Sequence, residues 1–182
     1  MVNESERIKR KAEKDSKRTF IEKIIRYIPI YNGYKTKEIR RETDKILREN
    51  IYMKLKGALD KLKDVKDRVV EANLQELWPL FQKLIYNFET ITQRVLYSDY
   101  GYSGFFSVIK INEPELERMY NFDSSLLDDA VVIGEVVKEL CDASYDLNAS
   151  KIKSMIKRVE DAVSQFEEKF AKREEYMNGF IE

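Results

Sequence analysis

The stretch YSDYGYSGFFSVIKINEPELERMYNFD, residues 97–123, interrupts a sequence whose pattern is otherwise helical. Gly101 and Gly104 are expected to end the helix before it, because glycine is a poor helix former. Asn112-Glu-Pro-Glu115 is a good helix start, since proline is tolerated in the first turn. The stretch therefore predicts an extended segment over 105–111, a short helix over 113–121 and a further helix capped by Asp123 or Ser124.

Seven aromatic residues make this stretch an improbable solvent loop. They are Tyr97, Tyr100, Tyr102, Phe105, Phe106, Tyr120 and Phe122. We expect the stretch to fold onto one end of a helical bundle, near a second glycine-containing turn at Tyr31–Tyr34. Its acidic end would then face the basic start of the helix that follows that turn.

Two helices are predicted between these loops from apolar residues that alternate spacings of four and three, the pattern of a coiled-coil-like seam. The seam residues are Leu47, Ile51, Leu55, Ala58, Leu62, Val65, Val69 and Ala72, then Leu77, Phe81, Leu84, Phe88, Ile91 and Val95. Asn73 and Glu76 form a capping-box signature, which favours a hairpin between helices over 37–72 and up to 97. Pro79 leaves one kinked helix as the alternative.

The two helices after the opening stretch follow the same pattern. Their apolar residues are Leu127, Ala130, Val131, Gly134, Val137, Leu140 and Cys141, then Ile152, Ile156, Val159, Val163, Phe166 and Phe170. Gly134 suggests a close helix approach, Asn148 is placed to cap the last helix, and Asn178-Gly179 is placed to end it. The fold class is all-α: an antiparallel up-and-down bundle of four main helices with an N-terminal helical arm and a short helical insert.

The N-terminal region divides into a charged first half and an apolar second half. Residues 1–30 are predicted to form a helical arm whose second part, FIEKIIRYI, can dock, and Pro29 ends it. Residues 31–182 are predicted to form a single bundle domain. The arm could alternatively lie on a membrane surface.

Composition indicates a globular protein in a reducing compartment. The 182 residues have a formal net charge of zero and include one cysteine, Cys141, in an apolar run where it would pack as a small hydrophobe. No apolar run approaches the ~20 residues that span a membrane, and we see no export signal, so we expect a cytoplasmic protein. The 36% of charged residues is typical of heat-adapted proteins.

Charge is distributed unevenly along the chain. Residues 1–66 contain 20 basic and 11 acidic residues, a net charge of +9, whereas residues 112–147 contain 2 and 10, a net charge of −8. Either the two segments dock against each other, within the fold or between subunits, or the basic region binds nucleic acid or anionic lipid.

No catalytic motif is present, and the sequence has no histidine, which removes the commonest general base. We predict no catalytic residue, metal or cofactor. The acidic residues Asp128, Asp129, Glu135, Asp142 and Asp146 are the candidates for a hard-cation site, although such runs beside an apolar stripe are usually a solvated face.

Basic residues crowd the start of the long helix, where the helix dipole disfavours them. They are Lys37, Arg40, Arg41, Lys45 and Arg48. Either Glu38, Glu42, Asp44 and Glu49 compensate them locally at spacings of three or four residues, or they form a site for phosphate or an acidic partner.

Two segments resemble the signatures of an uncharacterised family of prokaryotic helical proteins. They are IPIYNGYKTKEIRRETDKILRE, residues 28–49, and LYSDYGYSGFFSVIKINEPELERMYNFDSSLL, residues 96–127. The sequence departs from the family pattern at Ile30, where glycine is usual, and at Ser107, where aspartate is expected. The resemblance implies a shared fold and supplies no reaction. The candidate binding residues are Tyr31, Gly33, Tyr34, Lys37, Arg40, Arg41, Tyr100, Gly101, Tyr102, Gly104, Phe105, Phe106, Tyr120 and Asp123.

These patterns favour a non-enzymatic scaffold or adaptor that binds other proteins. The alternatives are a peripheral membrane or nucleic-acid accessory protein that uses the basic N-terminal region, and a bundle that binds a metal through carboxylates. The oligomeric state stays open, because long apolar seams can pair within one chain or form a homo-oligomer.

Overall fold

The computed structural model describes residues 37–98 and 113–179, together with Glu22, Ile24 and Ile25; the side chains of residues 37–41, 113 and 116 are outside this description. Four helices make up the described part: α1 (Lys37–Glu71), α2 (Trp78–Tyr97), α3 (Glu113–Ser144) and α4 (Ala149–Asn178). A short 3-10 helix, Gln75–Leu77, precedes α2. The predicted all-α bundle of four main helices is confirmed.

Packing between the helices defines the topology of the bundle. The close pairings are α1 with α2, α1 with α3, α3 with α4 and, less extensively, α2 with α4. The order around the bundle is therefore α1–α2–α4–α3. Two antiparallel hairpins, α1–α2 and α3–α4, lie side by side, and the helices that face each other between hairpins run parallel.

The core consists of the predicted seams. Every residue of the second and fourth predicted seams is buried, including Leu77 in the 3-10 helix, and so is every residue of the first seam except Ala72, which follows α1 and is half-buried. On α3, Val131, Gly134 and Cys141 are half-buried, and Cys141 packs as a free thiol against the core. Burial of these stripes, at about 25 cal/mol per Å² of apolar surface, is what holds the helices together.

The α1–α2 hairpin is confirmed, but its turn differs from the predicted capping box. Asn73 has a positive φ of 55°. The N–H groups of Asn73 and Leu74 donate to the carbonyls of Val70 and Val69 at 3.0 and 3.1 Å, which is a Schellman motif that ends α1. Asn73 therefore closes a helix instead of opening one, and Pro79 falls in the first turn of α2, where it causes no kink.

Residues 113–144 form one continuous helix, so the separate short helix over 113–121 and the cap at Asp123 or Ser124 are wrong. Both residues are buried in the helix interior. Asp123 resembles a cap locally, but an ion pair with Arg173 of α4 supplies its partner instead. Tertiary contact thus overrides the local signal.

The remaining helix ends are set by short-range interactions. Asn148 caps α4 as predicted, since its side-chain oxygen accepts from the Lys151 N–H at 3.0 Å. Leu147, just before it, has a positive φ of 50°, which is strained for a residue with a side chain. α4 ends at Asn178, and Gly179 follows in a right-handed conformation that does not require glycine.

Most of the predicted arm lies outside the described residues, as do 99–112 and 180–182. Within the arm, Ile24 is fully buried in the core, in agreement with a docked second half. No helix in the described part of the chain combines the length and apolar character needed to cross a membrane.

Candidate functional site: a buried ion network and an adjoining groove

Four charged side chains are buried where the N-terminal parts of α1 and α3 meet the C-terminal part of α4. We call Asp44, Arg48, Asp123 and Arg173 the buried ion network. Three of them are fully buried, and Arg48 is 4% exposed. This is the end of the bundle at which α2 stops and α3 starts.

The network connects all four helices. Arg173 donates from Nη2 to Asp44 Oδ1 at 2.8 Å and from Nε to Asp123 Oδ1 at 3.0 Å. Arg48 donates from Nε to Asp44 Oδ2 at 2.7 Å and from Nη1 to the Leu96 carbonyl, near the C-terminus of α2, at 2.6 Å. Asp44 is therefore held between two guanidinium groups.

Two carboxylates and two guanidinium groups make the network electrically neutral. Charges in a low-dielectric interior are costly unless they are paired and hydrogen-bonded, and here each has a partner within 3.0 Å. Removing one member would take an ion-pair partner from at least one buried residue of opposite charge. The network thus fixes the relative positions of the helix ends that carry the two predicted loops.

The predicted binding residues are distributed unevenly over this end. Asp123 belongs to the network, and Tyr120 is 3% exposed, so both stabilise the bundle from within. Lys37, Arg40 and Arg41 lie in the first turns of α1, but their side chains are outside the described residues. Also outside are Tyr31, Gly33, Tyr34, Tyr100, Gly101, Tyr102, Gly104, Phe105 and Phe106. A binding role for these residues stays a prediction.

Local charge compensation at the start of α1 is observed for two of the basic residues. Arg48 pairs with Asp44, and Lys45 pairs with Glu49 at 3.8 Å, both four residues apart. The wider docking of the basic and acidic segments stays a prediction, because most of the basic segment lies outside the described residues; α1 and α3 do pack together, and within the described ranges several acidic residues of α3 pair with α4. Examples are Asp129 with Lys169 at 2.8 Å and Glu139 with Arg158 at 2.6 Å.

Sequence reasoning missed Arg173, although its position carries a signal. The α4 stripe continues from Phe166 and Phe170 through Arg173 to Met177, all buried. Asp44 precedes Leu47 by three residues and Asp123 precedes Leu127 by four, so both also occupy core positions of their stripes. The network would have been predicted by one pattern: a charged residue at a core position of one helix and an opposite charge at a core position of another helix.

The acidic residues proposed as cation ligands do not converge. Among the described residues, no group of three acidic or cysteine side chains could hold a metal ion. Asp129 pairs with Lys169 and Asp146 with Lys151, each at 2.8 Å.

A groove of about 370 Å³ runs between α1 and α3. Its floor contains Gly57, Ala58, Ala130 and Gly134. A Cβ atom built on either glycine would meet no atom of the described residues within 4 Å. The predicted close helix approach at Gly134 is therefore wrong: the missing side chains open a groove instead.

Basic residues border this α1–α3 groove. Lys54, Lys61 and Lys138 line it together with a single acidic residue, Glu135. Neither Lys61 nor Lys138 forms an ion pair with another residue of the described part of the chain. Met53, also in the lining, is 71% exposed.

In comparisons with known proteins, no family model, no curated protein and no solved structure matches this chain.

Proposed function

We propose that the protein is a non-enzymatic cytoplasmic adaptor that binds an acidic amphipathic helix of a partner protein in the α1–α3 groove. The observation that supports this function is the pair of facing glycines in an open groove. Glycine within a helix costs about 1 kcal/mol relative to alanine. Because nothing in the described fold occupies the space at Gly57 or Gly134, internal packing gives no reason for that cost.

The shape of the groove favours side chains that project from a helix. Its floor is recessed between two helices that run parallel, and small residues leave room for large apolar side chains of a partner. Helix-in-groove recognition uses such apolar side chains at spacings of three and four residues. A flat membrane surface cannot reach the recessed floor as far as the side chains of a helix can, so the shape of the groove favours a helix over a membrane.

The charge of the rim favours acidic residues beside those apolar ones. Among the described residues of the lining, three lysines against one glutamate give a net formal charge of +2. An amphipathic helix with Asp or Glu beside its apolar stripe would match both the floor and the rim. Complementary charge of this kind speeds association and excludes basic partners.

A photo-crosslinking residue at position 53, in the rim, tests the proposal in cells of the native organism. We expect one dominant crosslinked protein, with an acidic amphipathic helix at the crosslinked position. Gly57→Leu/Gly134→Leu should abolish the crosslink by filling the groove, and Lys61→Glu/Lys138→Glu should weaken it. Lys153→Glu is the matched control, since Lys153 is an exposed lysine of α4.

Three outcomes would overturn the proposal: a crosslinked protein whose capture survives the filled groove, a charge change at Lys153 that weakens capture as much as those at the rim, or crosslinking mainly to lipid. Circular dichroism of each variant establishes that it is folded.

A further inference from the structure

A second cavity lies within the α3–α4 hairpin, between the N-terminal half of α3 and the C-terminal half of α4. It has a volume of about 370 Å³ and is lined by Arg118, Asn121, Phe122, Ser125, Lys169 and Tyr176. We call it the aromatic pocket. Its position is next to the buried ion network, because Phe122 precedes Asp123 while Lys169 and Tyr176 lie on either side of Arg173 along α4.

Two half-buried rings form the apolar part of the aromatic pocket. The ring centroids of Phe122 and Tyr176 are 5.8 Å apart, with the planes tilted by 43°. Neither ring is fully buried, so both keep surface that a ligand can cover. Aromatic rings favour tilted or offset contacts at such distances, so a third ring could extend the cluster.

The polar part of the pocket lies along one face of α3. Arg118, Asn121 and Ser125 follow each other at spacings of three and four residues and therefore share that face. The guanidinium carbon of Arg118 is 5.7 Å from the Tyr176 ring centroid. Arg118 forms no ion pair with any other residue in the described ranges.

Charges around the pocket indicate where an anion can bind. Lys169 is neutralised by Asp129 at 2.8 Å, so Arg118 is the cation of the lining that no carboxylate of the described residues pairs with. Burial, and then the charge of Glu115, raises the pKa of the Tyr176 hydroxyl, against an opposing effect of Arg118. The hydroxyl therefore stays protonated and uncharged at neutral pH, and the position in the lining that attracts an anion is the guanidinium of Arg118.

From this arrangement we infer that the aromatic pocket binds a small planar aromatic molecule bearing one anionic group, a carboxylate or a phosphate. Its ring packs against Phe122 and Tyr176, and its anionic group pairs with Arg118. A volume of about 370 Å³ is at the small end of ligand pockets, which suits a single substituted ring. This site is separate from the α1–α3 groove, and its occupancy does not depend on the adaptor function.

Titrations of the full-length protein monitored by amide NMR test the inference with four probes: benzoate, phenyl phosphate, benzyl alcohol and inorganic phosphate. We expect saturable shifts at residues 118–125 and 169–176 with the two aromatic anions, with a Kd on the order of 1 mM for ligands of this size. Benzyl alcohol and inorganic phosphate should bind at least about tenfold more weakly. Whichever aromatic anion binds more tightly identifies the carboxylate or the phosphate as the preferred group.

Variants make the test specific to Arg118. Arg118→Gln should weaken both aromatic anions about tenfold and leave benzyl alcohol unchanged, whereas Arg158→Gln, an exposed arginine of α4, should change neither. Phe122→Leu keeps an apolar side chain and should weaken all aromatic probes. Equal binding of benzyl alcohol and benzoate, no effect of Arg118→Gln, or inorganic phosphate binding as tightly as phenyl phosphate would each overturn the inference.

Discussion

Replacement of Arg173 by methionine tests whether the buried ion network is a coupled unit. Methionine is similar in length and apolar, so the variant removes a charge without leaving a large cavity. It leaves Asp123 without the Nε donor at 3.0 Å, whereas Asp44 retains Arg48. The network then carries a net buried charge of −1.

The expected loss follows from the cost of an uncompensated buried charge. Removing one partner of a buried ion pair destabilises a protein by about 3–5 kcal/mol. Asp123→Asn leaves the opposite imbalance and should cost about 2–3 kcal/mol, because asparagine still accepts a hydrogen bond from Arg173. In the double variant Arg173→Met/Asp123→Asn, the two charge changes cancel, and the network has no net charge. Its loss should be about 3–5 kcal/mol instead of the sum of the two losses, a coupling of about 2–3 kcal/mol.

Equilibrium urea unfolding followed by circular dichroism measures all four members of this cycle. In thermal melts, Arg173→Met should lower Tm by about 10 °C for a chain of this size. Arg158→Met is the control, since its exposed pair with Glu139 should contribute less than about 1 kcal/mol. Losses of the two single variants that simply add in the double variant would show that Arg173 and Asp123 do not balance each other's charge.

Four smaller perturbations test other parts of the structure. Gly134→Ala should raise the free energy of unfolding by about 1 kcal/mol, because the added methyl group meets open space in a helix; a decrease would contradict the open groove. Leu147→Gly should also stabilise the protein, by up to about 1 kcal/mol, because glycine adopts the positive φ without strain. Urea unfolding at neutral pH measures the effects of Gly134→Ala and Leu147→Gly. A hydrogen bond from Lys83 lowers the pKa of Glu160, so the stability that Glu160 contributes is present above the unfolded pKa of about 4.3 and is lost as the pH falls. Glu160→Gln should therefore lower the free energy of unfolding by less than about 1 kcal/mol at pH 7, and wild type and variant should have equal stability in melts at acid pH. Burial raises the pKa of Tyr176, so the stability that its neutral hydroxyl contributes is present below the unfolded pKa of about 10 and is lost at higher pH. When the pH of urea unfolding is raised, Tyr176→Phe should lose less stability than the wild type. Equal losses would count against the burial of the hydroxyl.

Periodic apolar residues made the helices and their buried faces predictable. The sequence predicts the second and fourth seams residue by residue, and it predicts Asn148 as the cap of α4. These features depend on residues close together in sequence, whose spacing alone determines which face of a helix they share. Helix boundaries are harder to predict, because the Asn73 signature fits the end of a helix as well as its start, and the Asp123 signature fits the interior of a helix as well as its start.

Neither the buried ion network nor the α1–α3 groove can be predicted from the residues of a single helix. The burial of Arg173 follows from its partners Asp44 and Asp123, which lie 129 and 50 residues away along the chain. Gly134 predicts a close helix contact because glycine has no side chain, but the same lack of a side chain can also open a groove. Only the packing of α1 beside α3 distinguishes these two outcomes.

The long separation between the network residues has a consequence for how the chain reaches its native state. Seams with four-three spacing repeat every seven residues, so two helices can slide by one repeat and still bury apolar side chains. Such a slip would separate Arg173 from Asp44 and Asp123 and leave charges stranded in the interior. The network therefore favours one register of the helices, and it forms only when the last helix has docked in its correct alignment. A partly synthesised chain that ends before Arg173 would contain the three other charges without the residue that balances them.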